Sequence, residues 1–99
     1  MFFVYILESL IDGDFYKGST NDVLKRLDQH NRGESKFTSS KRPWKLVFVE
    51  CFLTKSEALK REKQLKRCNK TYLRWLIDQP VNMLKKDSED KNWIGSSVG

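Results

Sequence analysis

The strongest constraint on the fold is an unbroken apolar run near the start of the chain, followed by a turn signal. Residues Phe2 to Leu7 are aromatic, β-branched or aliphatic throughout, which is typical of a strand covered on both faces. Asp12-Gly13 then signals a tight turn, and Asp14 to Thr20 is predicted to return as the second strand of a hairpin. With a two-residue turn, Tyr16 would lie opposite Ser9.

The middle of the chain predicts a helix, a loop and a strand. Thr20-Asn21-Asp22 supplies N-cap candidates for a helix over Val23 to Asn31, and Gly33 provides a stop just beyond it. Arg32 to Pro43 is rich in Lys, Arg, Ser and Gly and has little periodicity, so it is predicted to be an exposed basic loop. Trp44 to Phe52 contains a continuous apolar stretch and is predicted to be a buried strand.

Two more helices are predicted after this strand. Thr54 and Glu57 match a capping box, in which both residues satisfy backbone donors at the start of a helix that runs to about Lys66. Asn69 or Thr71 can cap a third, shorter helix that ends near Pro80. The side chains of this helix that are predicted to pack against the core are Tyr72, Leu73, Trp75, Leu76 and Ile77.

The resulting order, β-β-α-β-α-α, predicts an α/β (α+β) fold with a three-stranded, mainly antiparallel sheet flanked by helices. Ninety-nine residues are enough for one modest domain, which is predicted to span residues 1–79. Residues 80–99 mix alternating charges with Gly-Ser-Ser and isolated apolar groups. This composition predicts a flexible C-terminal tail unless Trp93 docks on the domain.

The charge balance favours a polyanionic partner. Nineteen Lys and Arg against 13 Asp and Glu leave a net charge of +6 and a pI of about 9.4, which suits DNA or RNA. Solvated lysines produce the same balance in many small proteins, so charge alone leaves both interpretations open.

The two cysteines and the short apolar run at the start of the chain indicate the compartment of the protein. Cys51 and Cys68 match neither a CxxC motif nor a zinc spacing, which predicts reduced structural thiols. The apolar run at residues 2–7 is too short to cross a membrane and has no basic region before it. A cytoplasmic protein with no membrane association is the resulting prediction.

Glu62 is the most informative single residue, because it lies where the helical pattern calls for a hydrocarbon. On a helical projection it falls about 40° from Ala58 and about 60° from Leu65, inside the apolar stripe. A carboxylate held against a core is costly unless it is paired, protonated or bound to a cation. Two interpretations follow, an internal ion pair with a nearby Lys or Arg, or a metal ligand or general base.

Two other pairs of side chains are predicted to face the same region. Arg26 and His30 are four residues apart and share one edge of the buried face of the first helix. Tyr5 and Tyr16 point to the same side of the predicted hairpin, roughly 13 Å apart along the strand. Taken singly, an Arg-His pair on a helix is usually solvated at the rim of the buried face. Each tyrosine, taken singly, is usually an aromatic residue of the core with a satisfied hydroxyl.

Together these residues resemble the GIY-YIG nuclease family. Phe3-Val4-Tyr5 and Tyr16-Lys17-Gly18 stand where the family has its two defining triplets, and both tyrosines match. The run from Ser19 to Asn31 is similar to the family's helix with Arg and His. Its later blocks are matched by Lys36-Phe37-Thr38 with Arg42-Pro43 and by the segment from Glu57 to Lys66. The likeness covers about Phe2 to Ile77 and is greatest to the small stand-alone members, which are related to the nuclease module of an excinuclease.

The resemblance implies a divalent-metal-dependent endonuclease that hydrolyses DNA phosphodiesters in repair or recombination. It implies that Tyr5, Tyr16, Arg26, His30 and Glu62 form one concave catalytic surface. Glu62 would ligate Mg²⁺ or Mn²⁺, Arg26 would stabilise phosphoryl charge, and a tyrosine would help activate water. The candidate contacts to the nucleic-acid backbone are Lys17, Lys36, Lys41 and Arg42, each of which could equally be a solvated cation.

Two other functions remain open on the sequence. The same fold could recognise nucleic-acid structure without cutting it, in which case phosphate binding needs neither Glu62 nor metal. A more remote alternative is a protein-interaction adaptor whose basic face docks an acidic partner, for which nucleic-acid binding would depend weakly on salt.

Overall fold

The computed structural model describes residues 1–85, and these form the predicted order of strands and helices. The elements are β1 (Phe2–Ser9), β2 (Phe15–Thr20), α1 (Val23–Asn31), β3 (Trp44–Phe52), α2 (Lys55–Lys66) and α3 (Lys70–Ile77). A short 3₁₀ helix, Ser39–Lys41, precedes β3. Within residues 1–85, no helix is both long and apolar enough to span a bilayer.

The sheet has the order β2-β1-β3, and both pairings are antiparallel. The central position of β1 explains its unbroken apolar sequence, because its side chains are covered on both faces. Val4 and Ile6 point to one face, and Tyr5 and Leu7 point to the other. β2 is an outer strand, so one of its edges has no strand partner.

The predicted two-residue hairpin turn was wrong. Tyr16 pairs with Leu7 and not with Ser9. The turn is longer because Ser9 closes it, accepting from the Gly13 N–H at 2.9 Å and donating its own N–H to the Asp14 carbonyl at 2.8 Å. A shift of two residues keeps Tyr16 on the predicted face but brings its ring centroid to 6.3 Å from that of Tyr5.

Helices cover both faces of the sheet. α2 and α3 pack on the face of Val4 and Ile6 through a buried apolar set, Ala58, Leu65, Leu73 and Leu76. α1 covers the other face, where Val23 and Leu27 pack beside Tyr5, Leu7 and Trp44. The prediction that Tyr72 and Trp75 pack in the core was wrong, since they are 41% and 55% exposed. Leu73 and Leu76, three residues apart, take the inward face of α3 instead.

Local side-chain bonds begin each helix as the sequence predicts, with one change. Asp22, Thr54 and Asn69 are the N-caps, each accepting from the backbone N–H three residues later. The carboxylate of Glu57 accepts from the Thr54 hydroxyl at 2.9 Å and not from the Thr54 backbone, so the capping box is only half formed. Gly33 ends α1 in the left-handed region, with φ of 80°.

The chain after α3 is anchored through Asn82. This side chain is 2% exposed, accepts from the Val49 N–H at 3.2 Å and donates to the carbonyls of Val47 and Ile77. Residues 80–85 are therefore tied to β3 by a buried amide. Trp93 and the rest of the predicted tail lie outside the described residues.

Candidate active site

The centre of the site is a buried chain of hydrogen bonds between β1, α1 and the loop before β3. The Tyr5 hydroxyl lies 3.0 Å from Nε2 of His30, and Nδ1 of His30 lies 2.8 Å from the Thr38 hydroxyl. Tyr5, His30 and Thr38 are each at most 1% exposed. His30 is therefore a buried, fully bonded histidine and not part of a solvated rim.

The protonation state of this chain follows from its surroundings. Burial lowers the pKa of His30, and the positive charge of Arg26 lowers it further, so the imidazole is neutral at neutral pH. Burial raises the pKa of Tyr5 above its usual value despite the opposing hydrogen bond from Arg26, so the phenol keeps its proton. The consistent arrangement is that Tyr5 donates to Nε2, and Nδ1–H donates to Thr38. Thr38 then donates to the Ser35 carbonyl at 3.4 Å.

This arrangement predicts a loss of stability on mild acidification. The unfolded chain binds a proton at His30 near the ordinary pKa of 6.5, whereas the folded chain resists protonation. Stability is therefore full above about pH 6.5 and declines as the pH falls from there to the lower pKa of the folded state. Thermal melts between about pH 7.5 and 5.5 measure this decline. His30 is the only histidine, so His30→Gln should remove most of this decline in stability. If the pH profile of His30→Gln equals that of the parent, His30 is not the group responsible.

Arg26 and Tyr16 complete this side of the site. The Tyr16 ring centroid is 4.8 Å from that of His30, and Tyr16 is only partly buried. Arg26 donates to Gln29 Oε1 at 2.8 Å. Its pKa is raised, chiefly by its hydrogen bond to the Tyr5 hydroxyl, with both tyrosines contributing. The guanidinium is thus close enough to both phenols for them to raise its pKa, and it has more N–H donors than its bond to Gln29 uses.

Gly18 is required by the position of Tyr5. The two residues are paired across the β1–β2 ladder, and the Tyr5 phenol lies over the Gly18 backbone. A Cβ atom at residue 18 would be 2.6 Å from the Tyr5 hydroxyl oxygen and 2.7 Å from the ring carbon that bears it. Only glycine leaves room for this phenol, which is the physical reason for a glycine in the second triplet.

Gly18→Ala is therefore expected to displace the Tyr5 hydroxyl and break its bond to His30. Any reaction that uses these two groups is expected to slow by about 10²-fold, because misplacement by about 1 Å has this effect on catalytic groups. The direct measurement is a histidine NMR spectrum, which reports the lost bond. Gly13→Ala is the control: the site has a positive φ of 76° but lies in the hairpin turn. Unchanged His30 signals in Gly18→Ala would show that the phenol can move freely.

Glu62 reaches the site from the other face of the sheet. Its carboxylate accepts from the Ser19 hydroxyl at 2.6 Å and pairs with the Lys66 ammonium at 2.7 Å. Ser19 pairs with Val4 and so shares the face covered by α2, whereas Tyr5 and Tyr16 share the face covered by α1. The five predicted residues therefore do not line one face of the sheet: Glu62 bonds to the outer strand β2 on the α2 face, and the other four lie on the α1 face. The Glu62 charge still contributes to the raised pKa of Tyr5.

Glu62 supplies one charged carboxylate here, so a divalent cation at this position would need most of its ligands from elsewhere. Burial opposes ionisation of Glu62, but hydrogen bonds from Lys66 and Ser19 hold its pKa below the usual range, so it is negatively charged. Lys66 is 55% exposed and can leave the carboxylate without becoming buried. Across residues 1–85 no three His, Cys, Asp or Glu side chains group closely enough to hold a metal themselves. Water and a bound ligand would have to supply the remaining ligands, as is common for Mg²⁺.

The four predicted backbone-binding cations are placed differently. Lys36 and Arg42 are exposed in the loop before β3, with the Arg42 guanidinium beside Gly33. Lys41 is paired with Asp12, at 2.9 Å, and with Asp14, so it braces the hairpin turn. Lys17 lies on the Ser19 face of β2.

Sequence reasoning missed three groups. Thr38 and Ser19 were not singled out, although each bonds directly to a predicted site residue. A polar residue on the core face of a strand was the available signal for Ser19. The third group is a set of lysines on α2 that lines a cleft of about 490 Å³ with Glu62, namely Lys60, Lys63 and Lys66.

The order of strands and helices in this fold is that of a known nuclease family. The model of the GIY-YIG catalytic domain matches residues 1–74, and the chain belongs to the GIY-YIG family. Its relatives include proteins named UPF0213 protein from Staphylococcus aureus strains Mu50 and COL, each 49% identical over 65 residues, or 65% of this chain and 78% of the relative. The solution NMR structure of a UPF0213 protein from Bacillus halodurans is also similar. It is 31% identical with a TM-score of 0.54, over 90% of this chain and 96% of that one.

Proposed function

We propose that the protein is an endonuclease that hydrolyses DNA phosphodiester bonds with the help of Mg²⁺ or Mn²⁺. The observation that carries the proposal is the buried Tyr5–His30 pair with Arg26 beside both tyrosine hydroxyls. A neutral histidine next to a phenol and an arginine is suited to move a proton and to bind an anion at one place. The resemblance to repair nuclease modules makes DNA repair or recombination the setting of this proposal.

Water activation is assigned to the tyrosines and His30. An unperturbed phenol with a pKa of about 10 is a poor base at neutral pH unless its own proton has an acceptor. Tyr5 has one in Nε2 of His30, at 3.0 Å. We assign Tyr5 to pass a proton from the attacking water to His30, while the more exposed Tyr16 orients that water. The water oxygen then bonds to phosphorus as the bond to the leaving sugar oxygen breaks.

Arg26 and Glu62 are assigned to the charge that develops on the phosphate. Arg26 has donors free for two phosphoryl oxygens, and its guanidinium matches their geometry. Glu62 would hold the divalent cation, which supplies Lewis-acid stabilisation of the phosphoryl oxygens and of the leaving group. Ser19 would then keep the Glu62 carboxylate oriented after Lys66 has moved away.

The exposed cations should make DNA binding depend steeply on salt. The slope of log K against log salt is expected to be about −0.9 per duplex phosphate neutralised. Changing both Lys36 and Arg42 to Gln should make the slope less steep by the contribution of about two phosphates. Lys41→Gln should change it less, because Asp12 and Asp14 already neutralise that ammonium. Filter binding over a salt series measures the slopes, and equal effects of the three residues would place Lys41 on the DNA.

One observation favours a second candidate, a module that binds nucleic-acid structure without cutting it. The Glu62 carboxylate already has partners in Ser19 and Lys66, so its negative charge is compensated without a cation. Under this alternative, neither metal nor Glu62 is needed for binding, and no cleavage occurs.

A cleavage assay distinguishes the two functions. Duplex, nicked, branched and single-stranded DNA, with RNA beside them, would be incubated with the protein in Mg²⁺, in Mn²⁺ and in EDTA. Metal-dependent strand scission by the purified protein supports the nuclease proposal. Tight binding without scission in every condition supports the binding module, and absence of both leaves the adaptor alternative.

A further inference from the structure

The loop before β3 presents an unusually exposed aromatic ring. Phe37 is 89% exposed, more than any other large apolar side chain in residues 1–85. Burying such a ring against a ligand is favourable, whereas leaving it in water stabilises nothing in the folded chain. The packing of the domain therefore does not explain why a phenylalanine stands at residue 37.

The backbone on the C-terminal side of Phe37 is held firmly. Thr38, the next residue, is 1% exposed, and its N–H donates to the Ser35 carbonyl at 3.2 Å. Its carbonyl accepts from the Trp44 indole at 2.9 Å, and its hydroxyl contacts His30 at 2.8 Å. Thr38 therefore points into the domain, and the same turn leaves the Phe37 ring in solvent.

Phe37 is next in sequence to the buried hydrogen-bond chain of the candidate site. Between the Thr38 hydroxyl and the Tyr5 hydroxyl lie only the imidazole ring of His30 and two hydrogen bonds, of 2.8 and 3.0 Å. Successive nucleotides of one strand are about 3.4 Å apart along a duplex. A strand bound with a phosphate at Tyr5 and Arg26 would present its neighbouring nucleotides to the surface around these residues, and the loop that carries Phe37 is part of those surroundings through Thr38.

The charges around Phe37 suit a nucleic acid. Lys36 precedes it, and Arg42 is exposed in the adjoining segment. An exposed aromatic ring among cations that can bind phosphates is the combination by which proteins hold unpaired bases. Inside an intact duplex both faces of each base are already stacked, so a ring can stack only on a base that is unpaired or at a break.

We propose that Phe37 stacks on an unpaired nucleobase next to the scissile phosphodiester, so that the preferred substrate is DNA with a bulged, frayed or single-stranded base at the cut. This inference rests on the proposed nuclease function and names its substrate class. Stacking supplies selection for structure and not for sequence, because every base offers a π face.

The test compares binding to two DNA duplexes that differ by one bulged base, in EDTA so that no cleavage intervenes. The bulge carries a fluorescent base analogue that stacking quenches. The parent protein should prefer the bulged duplex and quench the analogue. Phe37→Ala should lose about 5- to 100-fold in affinity for the bulged duplex, with little change for the plain one. Phe37→Trp should restore both preference and quenching, and Phe37→Leu should not.

Leu24→Ala is the matched control, because Leu24 is 72% exposed but lies on α1 outside the hydrogen-bond chain. Thermal melts verify that each variant is folded. The inference is overturned if Phe37→Ala binds both duplexes with the parent's ratio, if Phe37→Leu restores binding, or if neither duplex binds. It is also overturned if Phe37 is needed for self-association in sedimentation, which would make the loop an interface between copies. Failure of the parent to cleave in Mg²⁺ or Mn²⁺ would refute the nuclease proposal alone, since the binding ratio is measured without metal.

Discussion

Glu62→Gln is expected to reduce metal-dependent cleavage by about 10²- to 10³-fold while the protein stays folded. The amide keeps the shape of the side chain and can still accept from Ser19, but it lacks the charge that a divalent cation requires. Stability should change by no more than about 1 kcal/mol, because the ion pair that is lost involves an exposed lysine. Lys66 is 55% exposed and returns to water when Glu62 loses its charge.

The control for this variant is Lys66→Gln, which removes the same ion pair but leaves the carboxylate. Cleavage by Lys66→Gln should stay within a few fold of the parent rate. Cleavage rates over a Mg²⁺ series and thermal melts with and without Mg²⁺ would be measured for both variants. If Glu62→Gln cuts DNA as fast as the parent, or if both variants lose activity equally, Glu62 is not the metal ligand. If Glu62→Gln unfolds, its role is structural.

The second large effect is expected at Arg26. Arg26→Lys keeps the positive charge but removes the planar fork that can bond two phosphoryl oxygens. Removing a comparable preorganised donor set lowers catalytic rates by about 10²- to 10³-fold. The loss should appear in kcat more than in KM, since the charge on the phosphoryl oxygens grows towards the transition state.

Arg32→Lys is the matched control at the end of the same helix. Arg32 is 67% exposed and pairs with Asp28 and Glu34, outside the hydrogen-bond chain of Tyr5 and His30. Steady-state kinetics of both variants should show a large loss for Arg26→Lys and almost none for Arg32→Lys. A loss at Arg26 that falls entirely on KM would mean that this residue binds DNA without acting on the transition state.

Much of the fold could be predicted from sequence because its signals are local. The strand signal of β1 lies in consecutive apolar residues, and each helix begins at a side chain that bonds a backbone N–H three positions ahead. Such contacts form within one turn of chain and need no knowledge of the rest of the molecule. The exposed Tyr72 and Trp75 show the limit, since helical period alone did not say which stripe of α3 faces the sheet.

The candidate site was predicted through two kinds of signal. Glu62 stood out by itself, as a carboxylate in an apolar stripe, and the structure leaves it 17% exposed at the side chain. The tyrosines, Arg26 and His30 were ambiguous one by one and became informative only as a set that resembles a family.

What only the tertiary structure decided depends on contacts between distant parts of the chain. The Ser19–Glu62 bond joins residues 43 positions apart, and the Tyr5–His30 bond joins residues 25 apart. The hairpin register depends on how Ser9 closes the turn, and the approach of Glu62 from the second face depends on β2 being the outer strand. The sequence determined which groups exist and which local elements hold them. Which of these groups bond to one another was decided by strand order and packing, because partners so far apart meet only after the whole domain has formed.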